Sequence, residues 1–240
     1  MTQSISEYAT QSFGTFSDLV SLQALNAPDR IAIAHNDKSV TYSEFNALID
    51  RFAASLQEKG LTSRHSVAIC GLSSIPYTVA FVGTLRAGIA VAPLAPSSTP
   101  GSLVRMITDS DAGLLLVDQA SHEALAPYLD DLDIKVVRMD LDGPDGFDAF
   151  LAPDGTRPTP VTIDPTQAFN IIYSSGTTGI PKGIVQSHQM RWPHTMPSEI
   201  PGYGPEAVAL ISTPLYSNTT LVSFIPALAG GGTVVLMEKF

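Results

Sequence analysis

Cysteine is nearly missing from this chain. A single one, Cys70, stands among 240 residues, so no internal disulfide can form, which fits a reducing compartment. It lies inside the apolar run Val67-Ala68-Ile69-Cys70 and is expected to fill core. Positive charge is scarce as well. Thirteen Lys and Arg against 23 Asp and Glu leave a net charge of −10, and no Lys/Arg run occurs. That balance excludes the electrostatic footprint of a nucleic-acid binder or of a protein drawn to anionic membrane. An uninterrupted apolar run of membrane-spanning length is also lacking. Leu221 to Met237 is uncharged, but Pro226 and Gly230-Gly231-Gly232 break it, which favours a helix, a turn and a strand. The first residues show no charged-then-apolar leader, so a cytoplasmic protein is expected. What is plentiful is ordinary core material: hydrophobic residues make up 44% and charged residues only 15%, the balance of a folded chain.

The apolar residues are arranged in alternating patterns. Thr41-Tyr42-Ser43-Glu44 has the form of a capping box, and Phe45, Leu48, Ile49, Phe52, Ala53 and Leu56 follow on one helical face, with Gly60 as the stop. Strands are expected at Val67–Cys70, Ala90–Leu94, Leu114–Val117 and Ile134–Arg138, with helices between them near Tyr77–Ala87, Leu103–Thr108 and His122–Tyr128. Pro93 suggests that its strand lies at an edge or that the proline marks a strand end. The rhythm predicts an α/β fold with largely parallel sheets flanked by helices. Between Asp140 and Gln167, five prolines, three glycines and six aspartates interrupt it. This stretch reads as a connector or a long excursion and divides the chain into a first α/β subdomain, 1–165, and the start of a second, 166–240. Beyond it the expected order is strand, glycine-rich loop, helix, strand (Ala207–Ile211), helix (Thr219–Leu228) and strand (Thr233–Met237).

The glycine-rich loop is the most specific feature. Tyr173-Ser174-Ser175-Gly176-Thr177-Thr178-Gly179-Ile180-Pro181-Lys182-Gly183 follows the apolar run Ala168-Phe169-Asn170-Ile171-Ile172. Glycines let the backbone turn tightly enough for several N–H groups to face one ligand, hydroxyls add donors, and the lysine adds charge. Such a loop suits a polyphosphate. It departs from the common nucleotide loop, in which Gly-Lys-Ser/Thr ends the motif: Pro181 precedes Lys182, and Gly183 follows it.

The loop resembles, nearly letter for letter, the signature of the adenylate-forming superfamily, which comprises acyl-CoA synthetases, firefly luciferases and peptide-synthetase adenylation domains. Three further segments resemble that family in the right order: Val40-Thr41-Tyr42-Ser43-Glu44-Phe45, then Leu85-Arg86-Ala87-Gly88 with Ala92-Pro93-Leu94, then Thr213-Pro214-Leu215-Tyr216 with Gly230-Gly231-Gly232. Their spacing is most similar to acyl- and aryl-CoA ligases of the 4-coumarate–CoA ligase type. The resemblance implies ATP-dependent activation of a small carboxylic acid to acyl-AMP, followed by transfer to coenzyme A, with Mg²⁺ on the phosphates. It implies phosphate contacts for Ser174, Ser175, Gly176, Thr177, Thr178, Gly179 and Lys182, and a place near the coenzyme A path for Lys239. It implies an acyl-pocket wall at Tyr216 and Ser217, where many relatives carry a histidine. His188 resembles a recurrent family position, with packing or helix capping as its plainer role, and Trp192 is expected in the core.

Two further readings of the chain stand beside this one. A peptide-synthetase adenylation module would resemble the same motifs, but its selecting aspartate has no counterpart in Ser217-Asn218-Thr219. A non-catalytic α/β fragment is the third. The family's adenine and metal motif, ribose-binding aspartate and catalytic lysine would lie downstream, so these 240 residues are expected to be an N-terminal fragment, inactive alone.

Overall fold

The structure, a computed structural model, describes residues 4–174, 181–195 and 202–237. Short helix α1 (Ile5–Ala9) and helix α2 (Phe16–Asn26) precede a hairpin of β1 (Ile31–His35) and β2 (Lys38–Thr41). Helix α3 (Tyr42–Glu58) starts on the expected capping box: Thr41 Oγ1 accepts from the Glu44 N–H, and Glu44 accepts from the Thr41 N–H. Gly60, at φ +76°, ends it in the left-handed region that a residue without Cβ enters freely. The chain then alternates through β3 (Ser66–Cys70), α4 (Ile75–Arg86), β4 (Ala90–Leu94), α5 (Pro100–Asp109), β5 (Ala112–Val117), α6 (Gln119–Leu125) and β6 (Lys135–Arg138). After a four-residue helix α7 (Phe147–Phe150) come β7 (Ala168–Ser174), β8 (Lys182–Ser187), a short α8 (His188–Arg191), β9 (Val208–Ile211), α9 (Asn218–Ala229) and β10 (Thr233–Leu236).

Two sheets result, and the fold is the expected α/β type with mostly parallel sheets and flanking helices. The larger has strand order β6-β5-β3-β4-β7-β8, and the smaller β2-β1-β10-β9. Each draws strands from both sides of residue 165. In the larger sheet every pairing is parallel except β7 with β8. Side chains of β3 and β5 alternate between two clusters. Val67, Ile69, Leu114 and Leu116 enter the main core with α2, α3, α4, α9 and the small sheet, whereas Ala68, Cys70, Leu115 and Val117 pack against α5 and α6. This is the period-2 geometry of a strand buried on both faces. Cys70 is fully buried, and burial pushes its thiol up to about 12, so it stays protonated core material.

Of the two places expected for Pro93 the structure takes the strand end, and one further expectation, that of a helix after the loop, needs correction. Pro93 does not sit at an edge: β4 lies between β3 and β7. It occupies the next-to-last residue of its strand, past Val91↔Asn170, the one position at which β4 pairs with β7. Its missing N–H therefore falls where that ladder has already stopped. The correction concerns the loop. No helix follows it directly; β8 does, antiparallel to β7. The β-branched pair Ile184-Val185 favours a strand there.

The proline- and aspartate-rich excursion is packed along α3. Phe147 stacks on Phe52 at 5.6 Å and 15°, and Phe150 tilts against the same ring at 5.4 Å. Arg51 Nε donates to the Ala152 carbonyl at 2.6 Å, and Gln57 exchanges two hydrogen bonds with the Thr159 backbone at 2.9 and 2.8 Å.

Tyr42 links the early chain to the late chain. Its buried hydroxyl reaches the carbonyls of Leu228 (3.0 Å) and Gly232 (2.8 Å). Tyr42→Phe keeps the ring and removes a donor from both carbonyls, of which Leu228 still accepts from the Gly231 N–H at 3.1 Å, so a loss of about 1–3 kcal/mol is expected in urea unfolding. A change within error would show that solvent reaches those carbonyls.

Candidate functional site

The strands β3, β4, β5 and β7 run parallel, so their carboxyl ends share one edge of the sheet. The order reverses at β3, because the next two strands of the chain, β4 and β5, lie on opposite sides of it. Open α/β sheets bind ligands in the crevice at such a reversal. The β7–β8 connection opens at the same edge, beside β4.

That connection has a paired base. Ser174, the last residue of β7, lies opposite Lys182, the first residue of β8, and Tyr173 lies opposite Gly183. Ser174 and Lys182 are both exposed. A hydroxyl and an ammonium thus leave the same face of the sheet side by side at the mouth of the glycine-rich loop. Ser175, Gly176, Thr177, Thr178 and Gly179 lie outside the described residues, as does Lys239. The strand end is held by Tyr173, whose hydroxyl reaches Asp109 Oδ2 at 2.8 Å and the Met106 carbonyl at 3.0 Å on α5. Burial and the Asp109 carboxylate hold this phenol well above its usual range, so it remains a donor. Gly183 fits a tight space: a Cβ there would sit 3.0 Å from Ile171 Cγ2 and 3.2 Å from Tyr173 Cε1. A hydroxyl residue after the lysine, as in the common nucleotide loop, would have to push these side chains aside by a few tenths of an ångström.

Tyr216 and Ser217 lie between β9 and α9, both partly buried. Ser217 occupies the N-cap position of α9, but its side chain makes no capping bond. Tyr77, fully buried on α4, has a phenol raised well above its usual range by burial first and then by Cys70 and Tyr216.

Beside this segment lies a polar cluster that the sequence reading did not assemble. Arg191 is 1% exposed. Its Nε donates to Asn170 Oδ1 at 3.2 Å, and its Nη2 donates to Asn218 Oδ1 at 2.6 Å and to Gln186 Oε1. Its guanidinium lies 5.9 Å from the Phe169 ring centroid. Burial lowers its pKa to about 10, which leaves it charged at neutral pH. The one available signal was Asn170, a lone polar residue in an otherwise apolar strand sequence.

His188 fills the plainer of its two expected roles. It starts α8, is 3% exposed, and meets the Phe169 ring edge-on at 5.2 Å. Trp192 is also core, packed against Tyr8 and Phe13. Burial holds the His188 imidazole down at about 4, against 6.5 when free. The unfolded chain therefore binds a proton that the folded chain refuses between those values. His188 contributes stability above pH 6.5 that is lost as pH falls toward 4. His188→Gln is expected to flatten the fall in urea midpoint over that window. An unchanged slope would place the titration elsewhere.

The comparisons with known proteins agree with this fold. The family model described as AMP-binding enzyme matches residues 20–240. The chain belongs to the AMP-binding enzyme family. Among relatives, gramicidin S synthase 2 of Brevibacillus brevis is 31% identical over 231 residues, covering 94% of this chain and 5% of its own length. Phosphinothricin tripeptide synthetase PhsB of Streptomyces viridochromogenes is 32% identical over 224 residues, covering 91% and 18%. Among solved structures, a Rhodopseudomonas palustris chain assigned as a long-chain-fatty-acid CoA ligase aligns with a TM-score of 0.86 at 21% identity, covering 95% of this chain and 58% of that one. The luciferase-like enzyme of the mealworm Zophobas morio gives 0.81 at 23%, covering 94% and 55%. The AMP-binding chain thus spans little more than half of these solved structures and a small part of the synthetases. No helix among its described residues is long and apolar enough to cross a membrane, and none of its described His, Cys, Asp and Glu residues group into a metal site.

Proposed function

We propose that the full-length protein activates a small carboxylic acid with ATP and passes the acyl group to the thiol of coenzyme A. The observation that carries this reading is the Ser174–Lys182 pair at the base of the β7–β8 loop, on the carboxyl edge of a parallel sheet. In the first step a carboxylate oxygen bonds to the α-phosphorus, and the bond from that phosphorus to pyrophosphate breaks. Lys182 offsets the charge that grows on the departing pyrophosphate, and Ser174 donates a hydrogen bond beside it. Ser175, Gly176, Thr177, Thr178 and Gly179 supply the remaining loop donors. Mg²⁺ held by the nucleotide's own phosphates would neutralise further charge there. In the second step a thiol attacks the acyl carbon and AMP leaves, on a path that Lys239 borders. Tyr216 and Ser217 form the wall against which the acyl group rests.

A second reading, a peptide-synthetase adenylation module, is favoured by the relatives, which include gramicidin S synthase 2. There the acceptor would be a carrier-protein thiol and the acid an amino acid. Acid-dependent exchange of labelled pyrophosphate into ATP, run with aryl, alkyl and amino acids and then with each acceptor, separates the two. We expect exchange with non-amino acids and thioester formation with coenzyme A. Exchange with α-amino acids alone would establish the second reading, and no exchange with any acid would remove both.

A further inference from the structure

Two arginines that the fold takes largely out of water, Arg86 and Arg191, are treated differently by their surroundings. Arg86 has a carboxylate: Nη1 meets Asp50 Oδ1 at 2.7 Å and Asn46 Oδ1 at 2.9 Å, while Nη2 meets the Ser17 carbonyl and Ser21 Oγ at 2.9 and 2.7 Å. Arg191 has none. Its partners are three neutral amide oxygens, from Asn170, Gln186 and Asn218. They take up Nε and Nη2, and Nη1 has no partner among the described residues. Two neighbours repeat the pattern: buried Asn170 Nδ2 and buried His188 Nε2 are also unpartnered. Asn170 cannot be flipped to relieve this, because its oxygen is the acceptor for Arg191 Nε. A guanidinium taken out of water without a counter-charge is costly, and an unfilled buried donor adds to that cost.

We propose that this cluster receives a second anionic group of the substrate, the distal carboxylate of a dicarboxylic acid. The inference rests on the acid-activation reading above. Three observations favour a substrate carboxylate. The cluster adjoins the segment assigned to the acyl wall, since Asn218 directly follows Tyr216 and Ser217. Asn218 is exposed, so the guanidinium lies one side chain below the surface at the start of α9. Asn170 precedes Ser174 by four residues on the same strand, about 13 Å at strand rise, which separates the anion site from the phosphate-loop mouth by the length of an acyl chain. The same unpaired charge disfavours an α-amino acid whose ammonium would approach it.

The test pairs each dicarboxylic acid, from succinate to sebacate and including terephthalate, with the monocarboxylic acid of the same skeleton. Full-length protein is assayed by calorimetric binding and by pyrophosphate exchange. The wild type is expected to favour one diacid over its partner by at least about tenfold, the worth of one charge-assisted hydrogen bond. Arg191→Gln is expected to erase that preference, and Arg191→Lys to keep part of it. Glu199, outside the described residues, is the nearest acid in sequence on the carboxyl side, and Glu199→Gln is expected to leave the preference intact. Equal or better use of monoacids by the wild type overturns the proposal without any variant. So does a diacid preference that appears only in Glu199→Gln, which would make Glu199 the internal partner of Arg191. The two readings fail separately. Diacid binding without exchange removes acid activation and keeps the anion site, whereas exchange restricted to monoacids does the reverse.

Discussion

Lys182→Ala in the full-length protein is expected to slow acyl-AMP formation by about 30- to 1,000-fold, or about 2–4 kcal/mol of barrier, by analogy with the loss of one donor to a developing oxyanion. Lys182 is exposed and lies at the start of an edge strand, so its truncation leaves the core intact. Pyrophosphate departs only in the first half-reaction. Conversion of presynthesised acyl-AMP with coenzyme A should therefore stay close to the wild-type rate. Single-turnover kinetics of each half-reaction reads both quantities. Equal losses in the two steps would mean that Lys182 acts through the hairpin's shape and not through phosphate charge.

Phe52→Ala is expected to cost about 3–5 kcal/mol of stability, the range for truncating a buried aromatic residue. Phe52 is fully buried on α3 and touches three things at once. Phe147 stacks on it at 5.6 Å, Phe150 tilts against it at 5.4 Å, and Gly83 of α4 lies so close that a Cβ there would come within 2.9 Å of its ring. The cavity would open where the excursion after β6 meets the α3–α4 pair, and neither side can close it without moving a helix. Urea unfolding gives the number. A loss under about 1 kcal/mol would show that the excursion is not docked on α3 in solution.

Local signals carried most of the large sheet. The capping box at Thr41, the buried β3 run and the alternation through β6 are each written within a few adjacent residues, and each forms as read. What failed had a nonlocal or a competing cause. The hairpin β1–β2 is short, and its partner β10 lies some 200 residues away, so nothing near Ile31–His35 announces a sheet. At Lys182–Ser187 the glycine-rich loop suggested a following helix, while Ile184 and Val185 carried the strand preference that prevailed. In the candidate site, the pairing of Ser174 and Lys182 was hidden for the same reason, because it exists only once β8 pairs with β7. Arg191 was harder still. Its partners come from β7, β8 and α9, and an arginine two residues before Pro193 reads as surface until the fold buries it.

The central claim is that a carboxylate oxygen attacks the α-phosphorus at the carboxyl edge of this sheet. Oxygen tracing tests it most directly. The full-length protein is given its acid with both carboxylate oxygens as ¹⁸O, ATP and an acceptor thiol, and the nucleotide product is weighed by mass spectrometry. Attack at the α-phosphorus followed by cleavage at the acyl carbon leaves the bridging oxygen on the nucleotide, so AMP carrying one ¹⁸O is expected. Unlabelled ADP with the heavy oxygen in inorganic phosphate would mean attack at the terminal phosphorus and would contradict the account.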